Sequence, residues 1–341
     1  MSDTVPDGAR LRQLAFGFMT TYAVRAAVEL RLVEAFDAQA RSATEVAGEL
    51  ALSPEATTRL LRALTALGLF TETEPGHFSP TDEGRLLRGD HPHSLNALVD
   101  MFTDPVMTRA WSDLATSVRT GRTTFDDAFG KPFFPHLAEN PRKSALFNAA
   151  MSDGSRAAGR ELAAACDFGR FATVIDIGGG DGTVLAEILQ RYPAVRGSVY
   201  DTAEGGAAAA GRFAAAGLQD RASVSVGDFF TGVPAGGEAY LLKSIVHDWD
   251  DETCRTILGH CRTAVPAHGR LLIVEPVLPD LVTPGAPPGL YLSDLNMLVN
   301  VGGRERTRAD FENLCGAAGF RVAQVQPVPG TGFCLIEAEP A

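Results

Sequence analysis

The sequence has few cysteines and no cysteine motif. Five of its 341 residues are cysteine, an odd number, and no two of them form a C-x-x-C pair. They are Cys166, Cys254, Cys261, Cys315 and Cys334. Such a scattered set excludes a disulfide or zinc framework and predicts reduced thiols in a cytoplasmic protein.

Long apolar runs and an excess of positive charge are also missing. No stretch reaches the roughly 18 apolar residues of a membrane span, and the first residues form no signal-like segment. Thirty Lys and Arg stand against 42 Asp and Glu, a formal charge of −12 that repels phosphate backbones. We therefore expect neither a membrane nor a nucleic acid as a partner.

Length and composition predict a globular protein with more than one domain. Apolar residues make up 45% and charged residues 21%, and 341 residues are too many for one ordinary core. Changes in pattern divide the chain into three segments, 1–100, 101–166 and 167–341.

The segment 1–100 has the pattern of a winged helix. Apolar residues recur at helical spacing, helix-start signals follow at Ser42 and Ser53, and a Pro75–Gly76 turn joins two short strands. From Ser42 to Arg88 there are seven acidic and four basic side chains. A DNA-binding face needs a basic stripe, so a dimerisation scaffold is favoured over a DNA reader.

The segment 101–166 is helical, interrupted by prolines and rich in large side chains. These are Trp111, Phe125, Phe129, Phe133, Phe134, Phe147 and Met151. Most such residues fill a core, and a few of them lining a pocket for an aromatic substrate is the alternative.

The segment 167–341 alternates short apolar runs with helical stretches. Strands are expected at 173–177, 197–200, 223–226, 239–242, 270–274 and 333–336. This alternation predicts an α/β fold with a doubly wound, Rossmann-like sheet.

A glycine-rich loop follows the first of these strands. Asp176 precedes Gly178, Gly180 and Gly182, and a helix begins at Thr183. Such a loop points its amides at a ligand above the sheet. A dinucleotide fingerprint would need glycine at position 183, so the spacing favours S-adenosylmethionine over a nicotinamide cofactor.

Two further strand ends carry acidic residues suited to the same cofactor. Asp201 is placed to accept hydrogen bonds from ribose hydroxyls. Asp228 is placed to accept one from the adenine amino group while Phe229 packs on the ring. An ordinary turn aspartate is the alternative for Asp228.

His247 follows the fourth strand and is the candidate general base. An unperturbed imidazole accepts protons near neutral pH, and a phenol must be deprotonated to attack a methyl sulfonium. Glu275 and Glu305 are candidates to orient the ring. The alternative for Glu305 is a surface pair with Arg304 or Arg306.

The acidic residues after His247 raise the alternative of a metal site. Adjacent and alternate residues of one turn rarely converge on one ion, and no second cluster completes a ligand shell. For Asp248, Asp250 and Asp251 we therefore expect no metal.

Together these motifs resemble the caffeate/flavonoid-type small-molecule O-methyltransferases, in particular the bacterial branch that modifies natural products. The motifs are Asp-x-Gly-Gly-Gly-x-Gly, Gly-Asp-Phe-Phe, Leu-Lys-x-x-x-His-Asp-Trp-x-Asp-Glu and Gly-Gly-Arg-Glu-Arg-Thr, the last of which contains Glu305. They follow an N-terminal segment with the pattern of a winged helix. The resemblance covers nearly the whole chain.

The resemblance implies methyl transfer from S-adenosylmethionine to a phenolic hydroxyl of an aromatic metabolite such as a polyketide, by a homodimer that needs no metal. His247 would be the base, bracketed by Glu275 and Glu305. Cofactor contacts would come from Asp176, Gly178, Gly180, Gly182, Asp201, Asp228, Phe229, Lys243 and Trp249. Substrate contacts would come from Phe147, Met151, Asp248, Asp294, Met297 and Val301, with Asp294 starting the last pocket helix.

Departures from the family pattern leave alternatives open. Thr202 and Ala203 stand where the family often has Leu-Pro, Gly154 replaces a histidine common in plant enzymes, and Asn300–Val301 replaces a His-Asn pair. A relative that has drifted to hydroxylation or decarboxylation is one alternative. A non-enzymatic winged-helix sensor is the other, and the retained His247 argues against both.

Overall fold

The computed structural model describes residues 8–37 and 39–341. Within these ranges the chain forms two compact units, one that ends at Thr108 and one that comprises Arg109–Ala341. No helix in the described ranges is both long enough and apolar enough to cross a bilayer.

The first unit is helical with a small antiparallel sheet in the order β1-β3-β2. Its elements are α1 (Ala9–Ala15), α2 (Gly17–Glu29), β1 (Arg41–Ser42), α3 (Ala43–Glu49), α4 (Pro54–Ala66), β2 (Phe70–Glu74), β3 (His77–Pro80), α5 (Asp82–Arg85), α6 (Asn96–Thr103) and α7 (Pro105–Thr108). Ser42 and Glu45 form the expected capping box, and Ser53 caps α4. The predicted helix, helix, hairpin order is present.

The first two helices expose an apolar surface. The sequence predicts one long amphipathic helix here, but the structure breaks it at Phe16 between α1 and α2. Leu11, Leu14, Phe18 and Tyr22 are each more than half exposed within the chain. A contiguous apolar surface of this kind marks a contact with another chain.

The second unit is a mixed α/β domain. In chain order its helices and strands are α8 (Leu114–Thr120), α9 (Thr124–Phe129), α10 (Phe133–Ala138), α11 (Pro141–Ala165), β4 (Thr173–Ile177), α12 (Thr183–Arg191), β5 (Arg196–Asp201), α13 (Ala209–Ala215), β6 (Ala222–Val226), β7 (Ala239–Lys243), α14 (Asp251–Ala264), β8 (Arg270–Glu275), β9 (Val277–Leu278), α15 (Gly289–Asn296), a π-helix (Met297–Val301), β10 (Arg306–Thr307), α16 (Arg308–Ala317), β11 (Phe320–Pro327) and β12 (Cys334–Pro340).

Seven strands form the central sheet in the order β11-β12-β8-β7-β4-β5-β6. The five strands β4 to β8 are parallel, and β12 and β11 extend the sheet in antiparallel fashion. Apolar clusters cover both faces of the sheet. All six strands expected from sequence are present, whereas β11 was missed because its edge position leaves it polar and without an apolar run.

Candidate active site

Four strands bring their carboxyl ends to one edge of the sheet. β4 leads into the glycine loop 178–182, β5 ends at Asp201, β7 at Lys243 and β8 at Glu275. The chain changes winding direction between the neighbouring strands β4 and β7. Open α/β sheets bind their ligands at this point.

The glycine loop requires glycine at three positions. Gly178, Gly180 and Gly182 have φ of 67°, 55° and 76°, where side chains are rarely tolerated. A Cβ at Gly178 would lie 2.4 Å from the Ile245 side chain, whereas one at Gly180 would meet nothing within 4 Å. The loop therefore presents bare backbone to open space beside the start of α12, as an anionic or polar ligand needs.

Asp201 is held by backbone amides of the loop. Its Oδ2 accepts a hydrogen bond from Gly180 N at 2.8 Å and its Oδ1 accepts one from Thr202 N at 2.7 Å. Burial raises the pKa of Asp201, and these hydrogen bonds oppose the rise. Thr202 Oγ1 accepts from Gly205 N at 3.0 Å, so the departure from Leu-Pro still forms a turn.

Asp176 is a buried carboxylate beside this loop. Its Oδ2 has no hydrogen-bond partner among the described residues. Burial, with repulsion from Asp201, raises the pKa of Asp176 to about 7. A buried acceptor left unpaired fits a hydrogen-bond donor supplied by a ligand.

The third strand end presents one exposed and one packed residue. Asp228 is exposed, and its Oδ1 accepts from Phe230 N at 2.8 Å, the contact of a turn aspartate. Phe229 packs edge-on against Phe230 and Trp249 with ring centroids 4.7 and 6.4 Å away. The aromatic surface next to the loop thus comes from Phe229 and Trp249.

Lys243 ends β7 and is partly buried. Nζ donates to Ser244 Oγ at 3.0 Å and lies 4.6 Å from the centre of the Phe333 ring. Burial lowers the pKa of Lys243, and the charges of Glu275 and Asp176 oppose that effect.

His247 lies on a short 3₁₀ turn and faces carboxylates with both ring nitrogens. Nδ1 is 3.2 Å from Glu305 Oε1 and 3.3 Å from Glu275 Oε2. Nε2 is 3.6 Å from Asp248 Oδ1. Burial lowers the pKa of His247, but Glu275, Asp248 and Glu305 more than offset this and raise it to about 10.

Glu275 orients the backbone as well as the ring. Its Oε1 accepts from the amides of Ile245 at 2.9 Å, Val246 at 2.8 Å and His247 at 3.3 Å. One fully buried carboxylate therefore fixes the turn that carries His247 and faces its imidazole.

Glu305 is buried and is held by two residues of α15. Ser293 Oγ donates to its Oε1 at 2.9 Å, and its own amide donates to Asp294 Oδ1 at 2.8 Å. The alternative of a surface pair between Glu305 and Arg304 or Arg306 does not hold, because those arginines pair with Asp251. No sequence signal pointed to Ser293.

Asp294 does not start a helix as expected. It lies near the end of α15, which begins at Gly289 after Pro288 and continues into the π-helix. Proline favours the first turn of a helix, which moves the boundary upstream. The Asp294 carboxylate accepts from the Glu305 amide and caps no helix.

Arg306 is a positioning residue that the sequence did not reveal. It is fully buried and donates to the carbonyls of Val246 at 2.7 Å and Trp249 at 2.8 Å, on either side of His247. Gly303 packs on the same turn, since a Cβ there would lie 2.0 Å from the His247 carbonyl oxygen.

The acidic residues weighed as a metal cluster serve other purposes. Asp250 caps α14 through Thr253 N at 2.8 Å, and Asp251 pairs with Arg306. His247, Glu275 and Glu305 lie within 4.8 Å of one another. One oxygen of each glutamate accepts from Ser293 or from backbone amides, and Oε2 of each has no hydrogen-bond partner among the described residues.

An aromatic wall lies beside the His247 turn. Phe134 stacks on Trp249 with centroids 5.2 Å apart and meets Phe147 edge-on at 6.1 Å. Met151 follows one turn along α11, and the π-helix with Met297 and Val301 lies next to the His247 turn. Trp249 Nε1 is buried without a partner among the described residues.

Comparison with known proteins identifies this arrangement. Residues 111–321 match the family model of the O-methyltransferase domain, and residues 12–90 match the O-methyltransferase dimerisation domain. The chain belongs to the O-methyltransferase family. It is 46% identical to the O-demethylpuromycin-O-methyltransferase of Streptomyces alboniger over 97% of this chain and 89% of that one.

Solved structures agree with this membership. The crystal structure of LaPhzM is 38% identical, with a TM-score of 0.93 over 99% of this chain and all of the other. The O-methyltransferase NcsB1 from neocarzinostatin biosynthesis is 33% identical, with a TM-score of 0.77 over 94% of this chain and 96% of that one. It was solved with S-adenosylmethionine and 2-hydroxy-5-methyl naphthoic acid.

The comparisons confirm the expected fold class, reaction class and cofactor. The chain is an S-adenosylmethionine-dependent O-methyltransferase with a dimerisation domain, which also confirms the expected homodimer. One relative is named for a different activity. Aclacinomycin 10-hydroxylase of Streptomyces purpurascens is 36% identical over 89% of this chain and 82% of its own.

Proposed function

We propose that this enzyme methylates a phenolic hydroxyl of an aromatic metabolite, with His247 as the general base. The observation that carries the proposal is the pair of buried carboxylates, Glu275 and Glu305, within 3.3 Å of one imidazole nitrogen at the ligand-binding edge of the sheet. A relative named as an O-demethylpuromycin-O-methyltransferase and a relative solved in complex with a naphthoic acid support an aromatic acceptor.

The cofactor contacts are assigned to the residues around the glycine loop. The free lone pairs of Asp201, the open space at Gly180 and the unpaired oxygen of Asp176 suit the polar groups of S-adenosylmethionine. Phe229 and Trp249 suit its adenine, and Lys243 adds charge near Asp176. The assigned cofactor set is Asp176, Gly178, Gly180, Gly182, Asp201, Asp228, Phe229, Lys243 and Trp249.

The acceptor contacts are assigned to the aromatic wall and the π-helix. The flat aromatic side chains of the segment 101–166 suit a flat ring. The assigned substrate set is Phe147, Met151, Asp248, Asp294, Met297 and Val301.

The proton moves to Nε2 of His247. Nδ1 faces Glu275 and Glu305, so the opposite ring nitrogen is the one that accepts the phenolic proton, and both carboxylates stabilise the imidazolium that forms. Bound S-adenosylmethionine supplies a methyl group on a cationic sulfur. His247 holds a proton in the protein alone and becomes a base when a nearby positive charge lowers its pKa.

Methyl transfer from labelled S-adenosylmethionine to mono- and polycyclic phenols tests the proposal. With a chelator present, we expect labelled aryl methyl ether. Product that lacks the label and gains oxygen or loses carbon dioxide would instead support the drifted chemistry of a hydroxylase-like relative. Loss of transfer with the chelator, restored by a divalent ion, would contradict the expected absence of a metal.

We also propose that the enzyme works in the cytoplasm. All five cysteines are free thiols, and four of them are buried. Burial raises the pKa of Cys261 to about 12, which keeps it protonated and unreactive.

A further inference from the structure

Four side chains from four segments form a closed ring of hydrogen bonds beside the glycine loop. Arg212 of α13 donates from Nη2 to Asp181 Oδ2 and to Ser152 Oγ, the latter at 3.1 Å. The hydroxyls of Ser152 in α11 and Thr183 in α12 are 2.9 Å apart. Thr183 Oγ1 donates to Asp181 Oδ1 at 2.7 Å, which closes the ring.

All the hydroxyl groups of the ring can form hydrogen bonds at the same time. Thr183 donates its single hydroxyl hydrogen to Asp181 and Ser152 accepts from Arg212, which leaves the hydroxyl hydrogen of Ser152 for Thr183 or for Asp181. Burial raises the pKa of Asp181, but hydrogen bonds from its ring partners lower it below its usual value. The carboxylate is therefore charged, and hydrogen bonds to a charged group are the stronger kind.

The ring fixes the backbone of the glycine loop. Arg212 Nε also donates to the Asp181 carbonyl at 3.1 Å, and Asp181 Oδ1 accepts from Thr183 N at 3.1 Å. Asp181 lies between Gly180 and Gly182. Glycine loses more conformational entropy on ordering than any other residue, so this part of the loop is costly to order. The hydrogen bonds of Arg212 therefore order the loop before a ligand binds, and the ligand's binding free energy is not reduced by the entropy of ordering it.

The ring also joins this loop to the helix of the aromatic wall. Ser152 follows Met151 in α11. Gly159 lets α11 approach α12 closely, since a Cβ there would lie 3.2 Å from Val184 Cα.

We propose that Arg212 is a positioning residue for the cofactor, and that the ring couples order in the glycine loop to order in α11. The proposal rests on the assignment of that loop to S-adenosylmethionine made above.

Replacing Arg212 by Met tests the first part, with S-adenosylhomocysteine as the probe. Loss of three hydrogen bonds from a charged donor predicts about a tenfold or greater rise in its Kd by calorimetry. Arg221→Met is the matched control, because Arg221 donates to the Leu189, Tyr192 and Val195 carbonyls away from the loop. We expect it to lower Tm and leave this Kd unchanged. Arg212→Lys should restore part of the affinity.

Ser152→Ala tests the coupling. In the wild type, S-adenosylhomocysteine should slow amide exchange in both the glycine loop and α11, whereas in the variant only the loop should respond.

An unchanged Kd in Arg212→Met, or an equal loss of affinity in Arg221→Met, would overturn the positioning role. Equal protection of α11 in Ser152→Ala would overturn the coupling. Wild-type protein that binds the probe but methylates no phenol would contradict the proposed function alone.

Discussion

At the scale of single residues, Nδ1 of His247 faces Glu275 and Glu305, and we assign Nε2, which lies 3.6 Å from Asp248 Oδ1, to the acceptor. His247→Gln keeps the side-chain size but removes the base. We expect turnover to fall by about a hundredfold or more while S-adenosylhomocysteine binding is retained.

His268→Gln is the control for this variant. His268 is 72% exposed and lies before β8, at the amino edge of the sheet. Labelled methyl transfer should be unchanged in it. Turnover at the wild-type level in His247→Gln at neutral pH would contradict the role of base.

The charge of His247 leads to a pH prediction. Glu275 of β8, Glu305 after the π-helix and Asp248 of its own turn face it, and these carboxylates raise the pKa of His247 to about 10. Below that pH the free protein carries an imidazolium, and a bound sulfonium repels it. Binding of S-adenosylmethionine should therefore release a proton and tighten as pH rises from 7 towards 10.

Calorimetry in two buffers of different ionisation enthalpy measures this release. The neutral product S-adenosylhomocysteine should release fewer protons. His247→Gln should lose the release that belongs to His247 and keep only what Asp176, with a pKa of about 7, contributes. Equal proton release by both ligands in the wild type would show that His247 does not respond to the sulfonium.

At the scale of elements, the turn Val246–Asp248 depends on the segment 302–307 for its position. Arg306 is fully buried and supplies donors to two carbonyls of this turn region. Arg306→Met leaves buried acceptors unpaired, so we expect a loss of about 3 kcal/mol or more in the free energy of unfolding.

Denaturant unfolding measures that loss, and Arg308→Met is the control. Arg308, two residues after Arg306, forms an exposed ion pair with Glu312. Such exposed pairs contribute at most about 1 kcal/mol to stability. If the two variants were equally stable, Arg306 would not hold the turn in the manner described.

At the scale of the whole molecule, the exposed apolar side chains of α1 and α2 need a partner. The dimerisation domain includes them, and Leu14 and Phe18 are 65% and 57% exposed in a single chain. Introducing charge with Leu14→Glu and Phe18→Glu should shift the protein towards monomer, because burying an unpaired carboxylate is costly.

Sedimentation velocity measures the dimer fraction, with Leu281→Glu as the control. Leu281 is 77% exposed in the loop before α15. A dimer that survives the double substitution unchanged would place the interface elsewhere.

The sequence by itself determined the glycine loop, six of the seven strands of the central sheet and the reaction class. Those features depend on local requirements: positive φ at Gly178, Gly180 and Gly182, apolar runs for buried strands, and family motifs of contiguous residues. Short-range patterns carry this information because they reflect constraints within a few residues.

Only the tertiary structure decided which groups surround His247. Glu305 and Arg306 lie 58 and about 60 positions from the turn they contact, and no local pattern separated a buried Glu305 from a surface charge. Ser293 and the ring of Arg212, Asp181, Ser152 and Thr183 were likewise hidden. Each contact joins segments that approach only when the sheet forms, so packing decides which polar groups are buried together.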